Sequence, residues 1–224
     1  PSTFASMSNL AALLMDEGQR VEEARQLMVE ALNGRREVLG KGHKDTLTSI
    51  HNLAVLLLNQ GEHDEARKLG EAALDGRRDL LGDRHLDTLS SINNLGALMK
   101  AMGLYEKARL LCQEALAGFQ EVLGDGHPHT LTTMNTLAAV LKDMGLYEEA
   151  RQLHELALAG QREILGNHHR DTLASVNNFA VLLKEMGRND EAKLRLEEVL
   201  QSTRDELGDR HPRTFVAMTH LGGV

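Results

Sequence analysis

Apolar residues between positions 44 and 82 recur at helical spacing in two successive stripes. The first stripe consists of Leu47, Ile50, Leu53, Ala54 and Leu57. The second stripe consists of Ala66, Leu69, Ala73, Leu74 and Leu80. Each stripe gives a helix one apolar face, and Gly61 or Gly82 follows it, where a left-handed residue is often needed. The pattern predicts two helices joined by a short turn, with Asp45 or Thr46 as the first N-cap.

The same order of polar and apolar positions returns along the chain with a constant period of 42 residues. A His-x-x-Thr-Leu sequence begins at His43, His85, His127 and His169, and a variant ending in Phe begins at His211. A fixed period of this size with helical patterning is typical of solenoids, in which neighbouring helix pairs share a core. The predicted fold is therefore all-α, an α-solenoid of antiparallel helix pairs forming one array over residues 1–224. Its approximate repeats are 1–43, 44–85, 86–127, 128–169 and 170–211, with a partial repeat at 212–224.

Small residues recur in phase with this period. The glycines predicted to end first helices are Gly18, Gly61, Gly103, Gly145 and Gly187. Those predicted to end second helices are Gly40, Gly82, Gly124, Gly166 and Gly208. Alanines early in the second helices are Ala24, Ala66, Ala108, Ala150 and Ala192. Side chains this small allow two helix axes to approach to about 8–10 Å.

These features resemble the tetratricopeptide repeat. The Leu-Ala pair of the first helix, the glycine after it, the tyrosine two residues later (Tyr105, Tyr147) and the alanine of the second helix match that family. The usual repeat has about 34 residues. The added Leu-Gly-x-x-His stretch, with Asn-Asn-Leu and Gly-Leu-Tyr-Glu-x-Ala, resembles the long-repeat subclass typified by kinesin light chains. This resemblance covers essentially the whole chain. It implies a right-handed superhelix that binds short peptides, in kinesin light chains acidic ones with an aromatic anchor.

Composition and charge narrow the expected partners. The net charge of −8 argues against a broad nucleic-acid-binding surface. No apolar run reaches the ~18–20 residues of a membrane span, and the N-terminus lacks the pattern of a signal peptide. Cys112 is the only cysteine and cannot form an intramolecular disulfide, which suits a cytoplasmic setting. We expect a protein or peptide partner, without nucleic acid, membrane insertion or a cofactor.

The first helices carry a second, more polar face beside the buried stripe, and first helices usually line the concave side of such arrays. Asparagine amides there offer donors and acceptors to a peptide backbone, and lysines attract acidic side chains. Met15 and Leu58 take the lysine position in the first two repeats, so the groove is expected to be apolar at its N-terminal end and basic towards its C-terminal end. The candidate peptide-binding residues are Asn9, Asn52, Asn93, Asn94, Asn135, Asn177, Asn178, Lys100, Lys142 and Lys184.

Other interpretations of these side chains remain open. An asparagine within a helix also suits a hydrogen bond to the neighbouring repeat, which would fix the stacking instead of holding a ligand. The lysine row also suits a solvated face, in which Asp143 and Glu185 neutralise the lysines beside them.

The in-phase histidines and the single cysteine do not predict catalysis. Zinc ligands lie about 2 Å from the metal, whereas successive repeats lie a helix diameter or more apart, so the histidines cannot share a metal. We expect each histidine to be a loop residue that bonds the neighbouring repeat. Five residues, not four, separate Gly34 from Gly40, so the phosphate-loop pattern fails. Cys112 is predicted to be a small core residue, and the chain is not expected to be an enzyme.

Two alternative functions remain. Pro1-Ser2-Thr3-Phe4 resembles Pro212-Arg213-Thr214-Phe215, so the chain is expected to open within one repeat phrase and to stop early in a sixth repeat. Neither end shows a capping helix, which favours end-to-end self-association into a scaffold. The other alternative is the regulatory or sensor region of a larger multidomain enzyme or signalling ATPase.

Overall fold

A computed structural model of the chain describes residues 3–4, 6–7, 10–11 and 20–222, with only the backbone at 212, 213, 220 and 222. These residues form helices and turns, without a β-strand among them. The helices with bounds in this part of the chain are α1 (Val21–Leu39), α2 (Lys44–Asn59), α3 (His63–Leu81), α4 (Leu86–Ala101), α5 (Tyr105–Leu123), α6 (Pro128–Asp143), α7 (Tyr147–Leu165), α8 (Arg170–Glu185), α9 (Asn189–Leu207) and α10 (Pro212–Gly222). The predicted all-α fold of helix pairs is confirmed.

Glycine ends the helices as predicted. The glycines after the first helices have φ between 73° and 79°, and those after the second helices have φ between 83° and 87°. Side chains disfavour this left-handed region, so glycine fits both positions at little cost. Gly18, predicted to end the first helix of the array, lies outside the described residues.

The predicted N-cap of the first helices is wrong by two or three residues. The cap of α2 is His43, whose Nδ1 accepts a hydrogen bond from the Asp45 amide at 3.2 Å. Asp45 instead lies in the first turn, where a carboxylate favours the positive end of the helix dipole. Thr46 is fully buried one residue later, so its side chain faces the core instead of the free amides.

Tight contacts hold the two helices of each pair together. The five predicted alanines are all 0% exposed. Further along α3 and α7, a glycine meets a leucine of the first helix of the same pair. A Cβ added at Gly76 would lie 2.5 Å from Leu47 Cδ2, and one added at Gly160 would lie 2.7 Å from Leu131 Cδ2. A side chain at either glycine would therefore push the helix pair apart.

The chain divides into two compact units, residues 1–111 and 112–224, and the division falls within α5. In the first unit, α2 packs between α1 and α3, and α3 also packs on α4. In the second unit, each helix from α6 to α9 packs on the next helix in the chain. The first helices of successive repeats also touch, α2 with α4 and α6 with α8. The single array over residues 1–224 stays a prediction, and each unit is described separately.

Candidate peptide-binding face

The predicted asparagines differ in exposure. Asn52 and Asn178 are exposed. Asn93, Asn94 and Asn177 are half-buried. Asn135 is buried, with 9% of its surface exposed. Asn9 lies outside the described residues. The six described asparagines therefore present different amounts of polar surface to a ligand.

In the first unit, half-buried Asn94 is bonded to the preceding repeat. Its Nδ2 donates to Nε2 of His51 at 3.0 Å, and Nδ1 of His51 lies 3.3 Å from Ser91 Oγ. Ser91 Oγ also accepts from Nη1 of buried Arg77 at 2.7 Å. One neutral tautomer of His51 satisfies both of its hydrogen bonds. Repeats 2 and 3 are thus joined by a polar cluster beneath the predicted face.

In the second unit, Asn135 belongs to a chain of hydrogen bonds that joins repeats 4 and 5. His154 Nδ1 lies 2.9 Å from Asn135 Oδ1, and Asn135 Nδ2 donates to Ser175 Oγ at 2.7 Å. Ser175 Oγ donates to the Asp171 carbonyl at 3.0 Å. Because these bonds occupy both ends of the amide, Asn135 positions α7 and α8 against α6.

Burial keeps both histidines of these clusters neutral near pH 7. Burial is the main reason why the pKa of His51 is lowered to about 4; Arg77 lowers it further, and Asp87 opposes the change. Burial likewise lowers the pKa of His154 to about 4, assisted by the charge of Lys142. Sequence reasoning missed both residues, although each breaks the pattern of its repeat position.

The three predicted lysines also have different environments. Lys142 Nζ lies 2.9 Å from both Asp143 Oδ1 and Glu185 Oε1. Burial alone would lower the pKa of Lys142, but hydrogen bonds to these carboxylates raise it overall. Lys142 therefore bridges the first helices of repeats 4 and 5. By contrast, Lys100 is half-buried and Lys184 is exposed.

We use the name ladder face for the side of the first helices that carries these positions. In the first unit, it consists of Asn52, Val55, Leu58, Asn94, Ala97 and Lys100. In the second unit, it consists of Thr136, Ala139, Lys142, Asn178, Val181 and Lys184. Both parts combine amides or hydroxyls, small or aliphatic side chains and at least one lysine.

The in-phase histidines have a different role from the one expected. Nδ1 accepts from the amide two residues later at 3.1–3.2 Å at His43, His85, His127 and His169. Each therefore caps the helix that follows it, a role that the expectation of a bond to the neighbouring repeat did not include. No group of three or more potential metal-binding side chains occurs among the described residues. Cys112 is fully buried, and burial raises its pKa to about 12, so its prediction as a core residue is confirmed.

The sequence profile of the tetratricopeptide repeat matches residues 2–79, 45–111, 87–163 and 130–205. The chain belongs to the tetratricopeptide repeat family. Repeats of this family generally mediate protein–protein interactions. A comparison with curated protein sequences gives no significant match. In the described part of this tetratricopeptide repeat protein, no helix combines the length and apolarity that crossing a membrane requires.

Solved structures share this fold. One contains the nearly identical TPR-like repeats of a Podosopora anserina putative kinesin light chain. It is 28% identical, with a TM-score of 0.72 and coverage of 92% of this chain and 98% of that one. BtubC (BKLC) from P. vanneervenii is 25% identical, with a TM-score of 0.72, and the match covers 92% of this chain and 81% of that one. The apo form of the quorum sensor NprR from B. thuringiensis shares the fold alone. It is 14% identical, with a TM-score of 0.73, and the match covers 96% of this chain and 57% of that one. The predicted similarity to kinesin-light-chain-like repeats is confirmed.

Proposed function

We propose that this tetratricopeptide repeat protein binds an extended peptide segment of a partner protein along the ladder face of its first helices. The segment is acidic and carries an apolar anchor. Tetratricopeptide repeats generally mediate protein–protein interactions, and the chemistry of the ladder face favours this kind of peptide.

The main support for the proposal is the exposure of one side of α8. Asn178, Val181 and Lys184 follow one another at three-residue steps, and all three are exposed. Residues at such steps lie on one broad side of a helix. They offer a peptide an amide for its backbone, an aliphatic surface for its anchor and a cation for its carboxylates.

The neighbouring helix α6 adds room and rigidity to this surface. Ala139 and Thr136 are short side chains at the equivalent positions, and they leave space beside α8. Lys142 is held by Asp143 and Glu185, which gives it a structural role within the same surface. Lys184 is exposed, whereas Lys142 is half-buried, so Lys184 is the better lysine for a test of ligand binding.

Fluorescence of tryptophan-containing acidic peptides tests the proposal, because the protein contains no tryptophan. We expect saturable binding that weakens at high salt and falls by about tenfold or more in Lys184→Glu. Lys193→Glu makes the same charge change on an exposed site of α9 and should leave the affinity within about twofold.

Equal losses in the two lysine variants would show unspecific attraction and contradict the proposal. No binding by a protein with normal helical circular dichroism would also contradict it. That result would favour the scaffold alternative. α10 supports this alternative because Phe215 is 55% exposed and Val216 is 52% exposed, and a mass that rises with concentration in light scattering would be its signature.

A further inference from the structure

An apolar cleft lies between α3 and α5, the second helices of repeats 2 and 3. Its volume is about 460 Å³, within the range of cavities that hold ligands. The cleft is lined by Arg67, Glu71, Leu95, Met99, Leu104, Lys107, Leu110 and Leu111. We name it the α3–α5 cleft. None of these residues belongs to the ladder face, so the cleft is a separate surface.

The floor and one wall of the α3–α5 cleft are apolar. Leu95 and Met99 of α4 form the floor, and both are nearly fully buried. Leu104 and Leu110 rise beside them with 38% and 61% of their surfaces exposed. Exposed leucines beside an apolar floor provide the kind of surface that is stabilised when a partner covers it.

The charged residues at the rim of the α3–α5 cleft favour an acidic partner. Arg67 Nη1 lies 3.1 Å from Glu71, one turn further along α3, so these two charges offset each other. Lys107 is exposed and adds a positive charge. The equivalent position carries a glutamate in the other four repeats, at Glu23, Glu65, Glu149 and Glu191. The rim is therefore net positive in a chain whose net charge is −8.

The equivalent region between repeats 1 and 2 is bridged by ion pairs. Arg25, which is equivalent to Arg67, binds Glu62 and also lies 3.8 Å from Glu65. One period later, Leu104 and Lys107 replace these two glutamates. Arg67 has lost its acidic partners in the next repeat and pairs within its own helix instead. The α3–α5 cleft thus lacks the charged bridge present one repeat earlier.

The equivalent region between repeats 4 and 5 is covered by an arginine side chain instead of an ion pair. Arg195 stands where repeat 3 has Leu111, and its guanidinium lies 5.9 Å from the ring centre of Phe179. Phe179 is equivalent to Leu95 of the cleft floor. A long cationic side chain therefore covers the apolar floor at this junction.

We propose that the α3–α5 cleft binds an acidic segment of a partner protein, which inserts one large apolar side chain and places a carboxylate near Lys107. This site goes beyond the ladder face and uses different helices. Apolar contact supplies most of the affinity, and the lysine selects acidic over basic segments.

A displayed library of random twelve-residue peptides tests the proposal. The library is selected on the full 224-residue chain and counter-selected on the double variant Leu104→Glu/Lys107→Glu, which introduces the glutamates found in repeat 2. Enriched peptides should carry acidic residues around a leucine or an aromatic residue. Fluorescence anisotropy should show affinity at least about tenfold lower in Lys107→Glu than in the parent chain.

Two further variants test the apolar wall of the cleft and the ladder face separately. Leu110→Lys copies the residue at the equivalent position of repeat 2, Lys68, and removes the apolar wall without adding negative charge. It should also weaken binding about tenfold. It keeps the test valid if the double variant fails to fold. Lys184→Glu on the ladder face should leave the affinity of cleft-selected peptides within about twofold.

Absence of enriched peptides would overturn the proposal, as would enrichment of basic or uncharged sequences. Peptides that bind the cleft variants normally and lose affinity in Lys184→Glu would also overturn it. That last result would place the peptides on the ladder face and support the proposed function, so the two proposals fail in different experiments.

Discussion

Asn94 and Asn178 occupy equivalent positions on α4 and α8, but their surroundings differ. Asn94 donates to His51 on the preceding first helix. At the position of His51, the fourth repeat has Asn135, which is already bonded to His154 and Ser175. Asn178 stays exposed. The residue one repeat earlier therefore decides whether the amide joins two repeats or stays exposed.

The free energy of unfolding should depend on pH through the buried histidines. The pKa of His154 is about 4 in the folded chain and 6.5 for the free side chain. Between these values the unfolded chain binds a proton that the folded chain excludes, so stability falls as the pH falls from 6.5 towards 4. We expect a loss of about 2 kcal/mol from His154 between pH 7 and 4.5.

Urea unfolding of the parent chain and His154→Gln at several pH values measures this contribution. Glutamine donates to the Asn135 carbonyl but does not titrate in this range. The difference in unfolding free energy between the two proteins should therefore shrink as the pH falls. A constant difference across this range would contradict the assigned coupling. His51 supplies a parallel contribution in both proteins and does not affect the comparison.

At the scale of the helix, the sequence predicts the glycine-terminated ends well and the N-caps poorly. Glycine is required where φ is positive, so residues such as Gly61 and Gly82 mark helix ends directly. An N-cap can be any side chain with a suitable acceptor. Thr46 is a common cap residue, but it points into the core, and His43 takes the role. The choice depends on which side chain the core buries.

Helix α3 contains two glycines that should respond differently to alanine. A Cβ at Gly70 would have its nearest neighbour, Leu95 Cδ1, at 3.4 Å, close to ordinary contact. Alanine is the better helix former there, so Gly70→Ala should raise the free energy of unfolding by about 0.5–1 kcal/mol. Gly76→Ala gains the same propensity but overlaps buried Leu47. It should destabilise by about 1 kcal/mol or more.

Chemical denaturation of both variants tests this pair, with far-UV circular dichroism as the check of helical content. The two substitutions change the same atoms in the same helix, so a difference between them measures packing alone. Stabilisation by Gly76→Ala would contradict the close approach of α2 and α3. Destabilisation by Gly70→Ala would show that Leu95 cannot yield at its contact distance.

The candidate binding surface could be predicted from the sequence only in part. The helical period places the asparagines and lysines on one side of the first helices, because spacing alone determines the face of a helix. Which of them are exposed depends on neighbours about 40 residues away, as the Asn135–Ser175 hydrogen bond shows. The α3–α5 cleft depends on three helices together, although Lys107 in a column of glutamates was a signal in the sequence.

For the whole molecule, each unit has its own way of joining repeats. In the first unit, buried Arg77 on α3 donates to the Asp87 carbonyl at 2.9 Å and to Ser91 Oγ at 2.7 Å, both on α4. In the second unit, Phe119 takes the equivalent position and stacks on His129 at 5.4 Å between ring centres. In a repeat array such contacts act between nearest neighbours, so stability is expected to vary along the chain.

Arg77→Met should therefore weaken the first unit without loosening the second. Methionine keeps an apolar stem of similar length but removes the charged donors, at a cost of about 2 kcal/mol. Hydrogen exchange followed by mass spectrometry should show faster exchange in α2, α3 and α4 and unchanged protection in α7, α8 and α9. Arg78→Met is the matched control, because Arg78 is half-exposed and pairs with exposed Asp83, so its loss should cost under about 1 kcal/mol. Equal loss of protection in both units of Arg77→Met would mean that the chain unfolds as one cooperative body. Nearest-neighbour stability would then be wrong for this array.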